Sequence, residues 1–217
     1  MTITALHRRR GRLYLLEIDG EPAVTVDMRT FDESPYREGS TIDDEELHAL
    51  LEASARRRAR EKALWLLSAR DYAAAELAEK LKKDAGAQIA AETVTLLQEQ
   101  GLIREEAYAR RLADELCLRR HYPQRRAVQE LVRRGIDREL AQEAVAQIDS
   151  DDLKEALALL EKKRYTDTDK GALYRKVTGF LARQGYDYST VRRVWAKWSE
   201  EHTADFDIGD GGYDDEL

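Results

Sequence analysis

Hydrophobic positions change their period along the chain. Leu13-Tyr14-Leu15-Leu16-Glu17-Ile18 and Ala23-Val24-Thr25-Val26 are β-type runs joined across Asp19-Gly20. Both turn residues tolerate positive φ, so this pair predicts a tight hairpin. Pro22 has no N–H to give a ladder, so the second strand starts after it or runs along an edge. An isolated hairpin is barely stable in water and must pack on something or recruit a third strand. Arg8-Arg9-Arg10 ahead of it reads as a solvated terminus. Thr30 to Gly39 has the composition of a loop. Thr41 then offers a helix cap, with Asp43, Asp44, Glu45 and Glu46 in the first turn, where the helix dipole favours negative charge. Leu47, Leu50 and Leu51 follow at helical spacing, and the helix is expected to run into Arg56-Arg57-Arg58-Ala59-Arg60.

From there the pattern is helical throughout, and it repeats. Gln129-Glu130-Leu131-Val132-Arg133-Arg134-Gly135-Ile136 places Glu130, Leu131 and Arg134 within about one helical turn, before a glycine suited to a left-handed helix end. The figure occurs earlier as Glu76-Leu77-Ala78-Glu79-Lys80-Leu81 and later as Phe180-Leu181-Ala182-Arg183-Gln184-Gly185-Tyr186. Leu77, Leu131 and Leu181 are thus 54 and 50 residues apart. A period near fifty marks repeated helical units.

The first unit carries Ala63, Leu64 and Leu67, then Ala74, Leu77 and Leu81, then a third helix with Ile89, Thr93, Leu96 and Leu97 that ends at Gly101. The second opens with Tyr108, Leu112 and Leu116, flanked by Ala109, Ala113 and Cys117. Pro123 starts its second helix and Asp137 caps its third, whose inner face is Leu140, Ala141, Ala144, Val145 and Ile148. The third begins near Asp152, with Leu153, Ala156, Leu157 and Leu160, then Tyr174, Val177 and Leu181, then Val191, Val194 and Trp195. The expected fold class is mainly α. Three tandem three-helix repeats form an elongated curved stack, behind a small N-terminal β-hairpin and helix. The divisions fall at 1–40 (hairpin), 41–103 (linker helix and first repeat), 104–150, 151–198 and an acidic tail at 199–217.

Composition fits solvated amphipathic helices, with 36% charged residues against 42% hydrophobic in 217 residues. No apolar run is long enough for a membrane span, and no signal peptide is expected from the first residues. The lone Cys117 fits a reducing cytoplasm. The net charge of −7 is uneven: Ser199–Leu217 holds eight acids and no lysine or arginine, and Asp27–Glu52 holds nine acids against two arginines. Residues 53–198 carry thirty cations against twenty-three acids. A basic middle between acidic segments suits an anionic partner.

No catalytic constellation stands out. His7, His48, His121 and His202 lie in four segments without metal-ligand spacing, and no phosphate loop, nucleophile elbow or zinc cysteine pair is present. The aspartates of the tail fail the spacing of a calcium loop. Cys117 lies on an apolar stripe and reads as a small buried hydrophobe. Neither an enzyme nor a cofactor is expected. What recurs is basic side chains at corresponding places. Arg56, Arg57, Arg58 and Arg60 precede the first unit. Arg119, Arg120, Arg125 and Arg126 straddle the first turn of the second, with Arg133 and Arg134 further on. Lys162, Lys163, Arg164, Lys170, Arg175 and Lys176 hold that place in the third, followed by Arg183. A spaced row of cations can track phosphates or the repeated acidic sites of a polymer. Tyr122, Tyr165 and Tyr186, near these turns, stack on bases or cover the edges of the core.

The run Ala63-Leu64-Trp65-Leu66-Leu67-Ser68-Ala69-Arg70, followed by Glu76-Leu77 and Lys80-Leu81, resembles the opening repeat of the bacterial RecX family. Gly101-Leu102 with Ala107-Tyr108-Ala109, then Glu130-Leu131 with Arg134-Gly135-Ile136, are similar to its next block. Lys176, Phe180 to Tyr186 and Val191 resemble its closing block, so the likeness covers roughly 55 to 196. Ala73 stands where the family usually has a hydroxyl cap, Arg104 where Asp is usual, Pro123 for a Gly and Gln184 for an Arg.

The resemblance implies an all-α repeat protein that lies in the helical groove of the RecA–single-stranded DNA filament. There it would modulate, and by the family's usual action inhibit, the recombinase, ATPase and co-protease activities. It implies a monomer when free, with direct contact to single- or double-stranded DNA as a further partner. Two other readings stand beside it. One is a helical DNA-binding module acting without RecA; the other is an adaptor whose acidic segments bind a basic partner.

Overall fold

The computed structural model describes residues 1–165 and 169–202. The expected disordered tail from residue 203 onward lies outside the described residues. The chain forms two compact units, Met1–Tyr108 and Ala109–Leu217.

The first unit begins with an antiparallel sheet of three strands, β1 (Ile3–Arg9), β2 (Leu13–Ile18) and β3 (Glu21–Asp27), in that order across the sheet. The hairpin is as expected, since Asp19 (φ 53°) and Gly20 (φ 87°) supply its two positive-φ residues. Pro22 sits on the edge strand β3, where its missing donor costs no ladder bond. The third strand that a hairpin needs is the N-terminus itself. Arg8 and Arg9 therefore extend β1 and pair opposite Tyr14 and Leu13, rather than fraying as a solvated end.

The expected loop contains a short helix, α1 (Met28–Glu33), because Asp27 accepts from the Thr30 amide at 2.9 Å. Phe31 on α1 packs edge-to-face with Tyr14. The next cap is also corrected. Asp43, not Thr41, caps α2 (Asp44–Ala69), through a reciprocal box with Glu46 at 2.8 and 3.0 Å. Thr41 instead bridges to Thr2 beside the sheet.

Helix α2 serves two cores. Its N-terminal half closes the sheet core of Ile3, Tyr14, Leu16, Ile18, Val26, Phe31, Ile42 and Leu50. Its C-terminal half gives Ala63 and Leu66 to a second cluster with Leu77, Leu81, Ala90, Val94 and Leu97. The two helices expected after it are continuous as α3 (Ala74–Glu99), sharply kinked where Gly86 adopts φ 79° and ψ 165°. Leu64 and Leu96, expected in the core, are 39% and 40% exposed. They face away because Leu66 and Leu97 already occupy the inward positions.

Helix α4 (Glu105–Asp114) begins at the end of the first unit and continues in the second into one π turn, Glu115–Arg119, closed by the Arg120 amide on the Glu115 carbonyl. Tyr108, Leu112 and Leu116 are buried as expected, with Ala109, Ala113 and Cys117 wholly inaccessible. Then follow α5 (Gln124–Arg133), α6 (Arg138–Ala146), α7 (Asp152–Glu161), α8 (Lys170–Gln184) and α9 (Tyr188–His202). Asp137 caps α6 through the Glu139 and Leu140 amides. A cluster of Ala156, Leu160, Leu173, Val177, Leu181, Tyr186, Val191, Val194 and Trp198 binds α7, α8 and α9. Tyr174, expected inside, is 39% exposed and lies edge-on to Trp195. The three leucines that define the repeat, Leu77, Leu131 and Leu181, are each at 0% exposure.

Candidate functional site

The basic residues divide into those held by the fold and those left open. Around α2 most are held. Arg56 pairs with Glu52 at 2.8 Å and with Glu92, and Arg57 pairs with Glu33 and approaches Asp27 at 3.8 Å. Arg60 donates to Gln100 Oε1 at 3.3 Å. Together with Arg29 these three line a groove whose apolar part is Ala53, Leu64 and Leu96. Arg58 lies on another side of α2, beside Lys62 and Asp84. The arginine run thus winds around its helix instead of forming one edge.

In the second unit Arg126 is structural. Its Nη1 donates to the Gln184 carbonyl at 2.7 Å and to Gln184 Oε1 at 3.1 Å. Its guanidinium carbon stands 3.8 Å over the Tyr122 ring. Arg120 pairs with Glu115 at 2.5 Å, and Arg133 with Glu130 at 2.7 Å. Arg134 closes α5 as its C-terminal cap and is half-buried. Lys163 lies 4.1 Å from the centre of the Phe180 ring.

Lys162 belongs to a hydrogen-bonded trio that ties α7 to the end of the π turn. Its Nζ donates to His121 Nε2 at 2.6 Å, and His121 Nδ1 meets Glu155 Oε2 at 2.5 Å. An ammonium can only donate, so Nε2 accepts and the ring proton sits on Nδ1, facing the carboxylate. His121 takes φ 52°, and its carbonyl receives the Tyr186 hydroxyl at 2.6 Å. Burial beside Asp152 and Glu155 pushes the Tyr186 phenol up, which keeps it a donor. Cys117 fulfils its expected role, since burial raises its thiol to about 11.

What remains open is a smaller set. Arg119 and Arg125 flank the turn between α4 and α5; Arg164 and Lys170 flank the junction of α7 and α8. All four are exposed and make no ion pair among the described residues. Arg175 and Arg183 are exposed along α8, and Lys176, exposed beside them, is engaged. Of the three tyrosines near the turns, Tyr186 is buried, Tyr165 packs edge-on against Trp198, and Tyr122 lies under Arg126. They cover core edges.

One cationic patch escaped the sequence reading. Tyr188, Ser189, Arg192, Arg193 and Ala196 line a shallow groove of about 430 Å³ on the outer face of α9. Its signal was the i, i+4, i+8 spacing of Tyr188, Arg192 and Ala196 on the face opposite Val191, Val194 and Trp198. Among the described residues no cluster of three or more His, Cys, Asp or Glu could hold a metal, and no helix is long and apolar enough to cross a membrane.

Fold and surface together define a mainly helical protein with a small N-terminal sheet, its open cations at helix ends and on one helix face. Residues 149–195 match the family model described as RecX, third three-helix domain. The regulatory protein RecX of Clostridioides difficile (strain 630) is 30% identical over 164 residues, covering 74% of this chain and 77% of that relative. The regulatory protein RecX of Trichlorobacter lovleyi is 35% identical over 142 residues, 62% of this chain and 92% of the relative. Two solved structures share the fold. A crystal structure of regulatory protein RecX aligns with TM-score 0.61 at 21% identity, over 89% of this chain and 98% of that one. RecX from Lactobacillus salivarius aligns with TM-score 0.59 at 20% identity, over 68% and 99%. The chain belongs to the RecX family, and its role is regulatory.

Proposed function

We propose that this chain regulates the RecA recombinase by binding the RecA–single-stranded DNA filament in its groove and inhibiting ATP hydrolysis, strand exchange and co-protease activity. The relatives are named for regulation, and this reading gives that regulation a target. In it the chain acts as three three-helix units, 41–103, 104–150 and 151–198, presented to a polymer that itself repeats.

One observation carries the reading. Arg119 and Arg125 at the first turn of one unit correspond to Arg164 and Lys170 at the first junction of the next, and all four are exposed and unpaired among the described residues. The matching turn of the first unit is closed off, because Arg70 pairs with Glu76 at 2.5 Å. Cations repeated along one molecule meet acidic sites repeated along another, and linked contacts gain affinity through effective concentration.

The test is a comparison of targets. Fluorescence anisotropy of the labelled chain should show much tighter binding to RecA filaments on oligo(dT) than to oligo(dT) alone. Equal affinity for both, with a steep salt dependence, would instead support the DNA-binding module that acts without RecA.

A further inference from the structure

The outer face of α9 has no task in the packing just described. Thr190, Val191, Val194 and Trp198 turn inward, and Tyr188, Ser189, Arg192, Arg193 and Ala196 turn out. Tyr188 is 74% exposed, the highest value among the exposed large hydrophobic side chains. An aromatic ring left so open gains nothing from the core, and its hydroxyl does not require the whole ring to stand in water. Ala196 is the small residue in the middle of the face, and Arg192 and Arg193 stand on either side of it. Neither arginine, nor Lys197 on the next flank, makes an ion pair among the described residues. The acids nearest along the helix do not neutralise them. Asp187 is engaged by the Ser189 hydroxyl at 2.7 Å and the Thr190 amide at 2.8 Å, and Glu200 lies a turn beyond Ala196.

We propose that this face of α9 is a binding site for single-stranded nucleic acid, with an unpaired base stacked on Tyr188 and the flanking phosphates held by Arg192 and Arg193. Unpaired cations around a flat, exposed ring match the alternation of phosphate and base in a single strand. Phosphate takes the arginines as forks in a shallow groove, and Ala196 leaves room for the backbone to approach. A duplex hides its base faces and would leave the ring without a partner. An acidic protein would satisfy the arginines and leave the ring idle, so the ring favours a single strand. The site acts on bare strands and does not depend on RecA.

The experiment uses the full chain and three fluorescent probes: oligo(dT), an abasic oligomer of the same length, and poly-glutamate. Tyr188→Ala should weaken oligo(dT) binding by about fivefold or more, leave the abasic oligomer unchanged, and be rescued by Tyr188→Phe. Arg192→Glu with Arg193→Glu should weaken both oligomers and lower the salt slope on oligo(dT) by about 1.4. The substituted side chains are exposed, and circular dichroism melts check that the variants stay folded. Unchanged oligo(dT) affinity in Tyr188→Ala overturns the proposal. So does poly-glutamate binding as tight as oligo(dT) and lost in the arginine variant, which would mark an acidic-protein surface.

Discussion

Arg126, on α5, caps the end of α8 through Gln184: its Nη1 reaches both the main-chain and the side-chain carbonyl of that residue, at 2.7 and 3.1 Å. Gly185 follows at φ 96°, and a Cβ there would stand 3.1 Å from Arg126 Cδ. A helix end leaves its last carbonyls unpaired, and here a cation from an earlier helix satisfies one. Gln184 also accounts for a family departure, since an arginine in its place would set like charge against Arg126.

Removing this cap should destabilise the second unit. Arg126→Ala is expected to cost about 2 kcal/mol, the usual scale for hydrogen bonds to a charged group. Gln184→Arg should fall in the same direction and Arg126→Lys should not restore the loss, because a point charge cannot both stack on Tyr122 and reach two acceptors. Urea unfolding followed by circular dichroism reads all three.

The His121–Glu155 pair predicts a larger effect. Both side chains are 11% exposed. Glu155→Ala leaves a buried imidazole facing nothing and Lys162 without its relay, and about 3 kcal/mol should be lost. Glu155→Gln retains an acceptor for Nδ1–H and should lose clearly less. Equal losses in the two variants would show that the carboxylate charge, and not merely an acceptor for Nδ1–H, holds the pair.

Two helices receive their N-terminal partner from outside. Ala73 and Pro123 have no side chain to cap α3 and α5, and the Ala74 and Gln124 amides donate instead to Glu105 Oε1 and Asp152 Oδ1, each at 3.2 Å. Glu105 opens α4 and Asp152 opens α7. Glu105→Ala and Asp152→Ala should each cost about 1 kcal/mol, as loss of an ordinary cap does, in thermal or urea melts.

Asp152 adds a dependence on pH. Burial holds its carboxyl above the usual aspartate range. The folded chain then binds that proton more tightly than the unfolded chain. Its contribution is therefore fullest below the unfolded value, near ~4, and falls as pH rises through the raised folded value. Asp187 works oppositely, held low by the Thr190 amide, and cancels when variants are compared. Asp152→Asn keeps the acceptor for Gln124, so its stability relative to wild type should rise across that window. Denaturant midpoints in a pH series measure the difference.

The periodic part of this molecule was legible in its residues. Leu77, Leu131 and Leu181 are buried in turn, Asp19-Gly20 makes its hairpin, and Asp137 caps its helix, because each signal is local and repeats. The cap at Asp43 was legible too: Glu46 completes a box three residues on, a stronger signal than the lone hydroxyl of Thr41. Contacts distant in sequence left no such trace. Arg126 and Lys162 read as surface cations until Gln184 and His121 came beside them. Arg192 and Arg193 lie within a helix rather than at a turn, and only their spacing with Tyr188 and Ala196 marks the face they share.

The most direct measurement of the regulatory reading is the rate of ATP hydrolysis by RecA on single-stranded DNA, titrated with this chain and with an Arg119→Glu, Arg125→Glu variant. Neither arginine holds the fold together. Saturable suppression by the wild type is expected, with the titration shifted by tenfold or more in the variant. A rate unchanged at saturating wild-type protein, or suppressed equally by both, would contradict it.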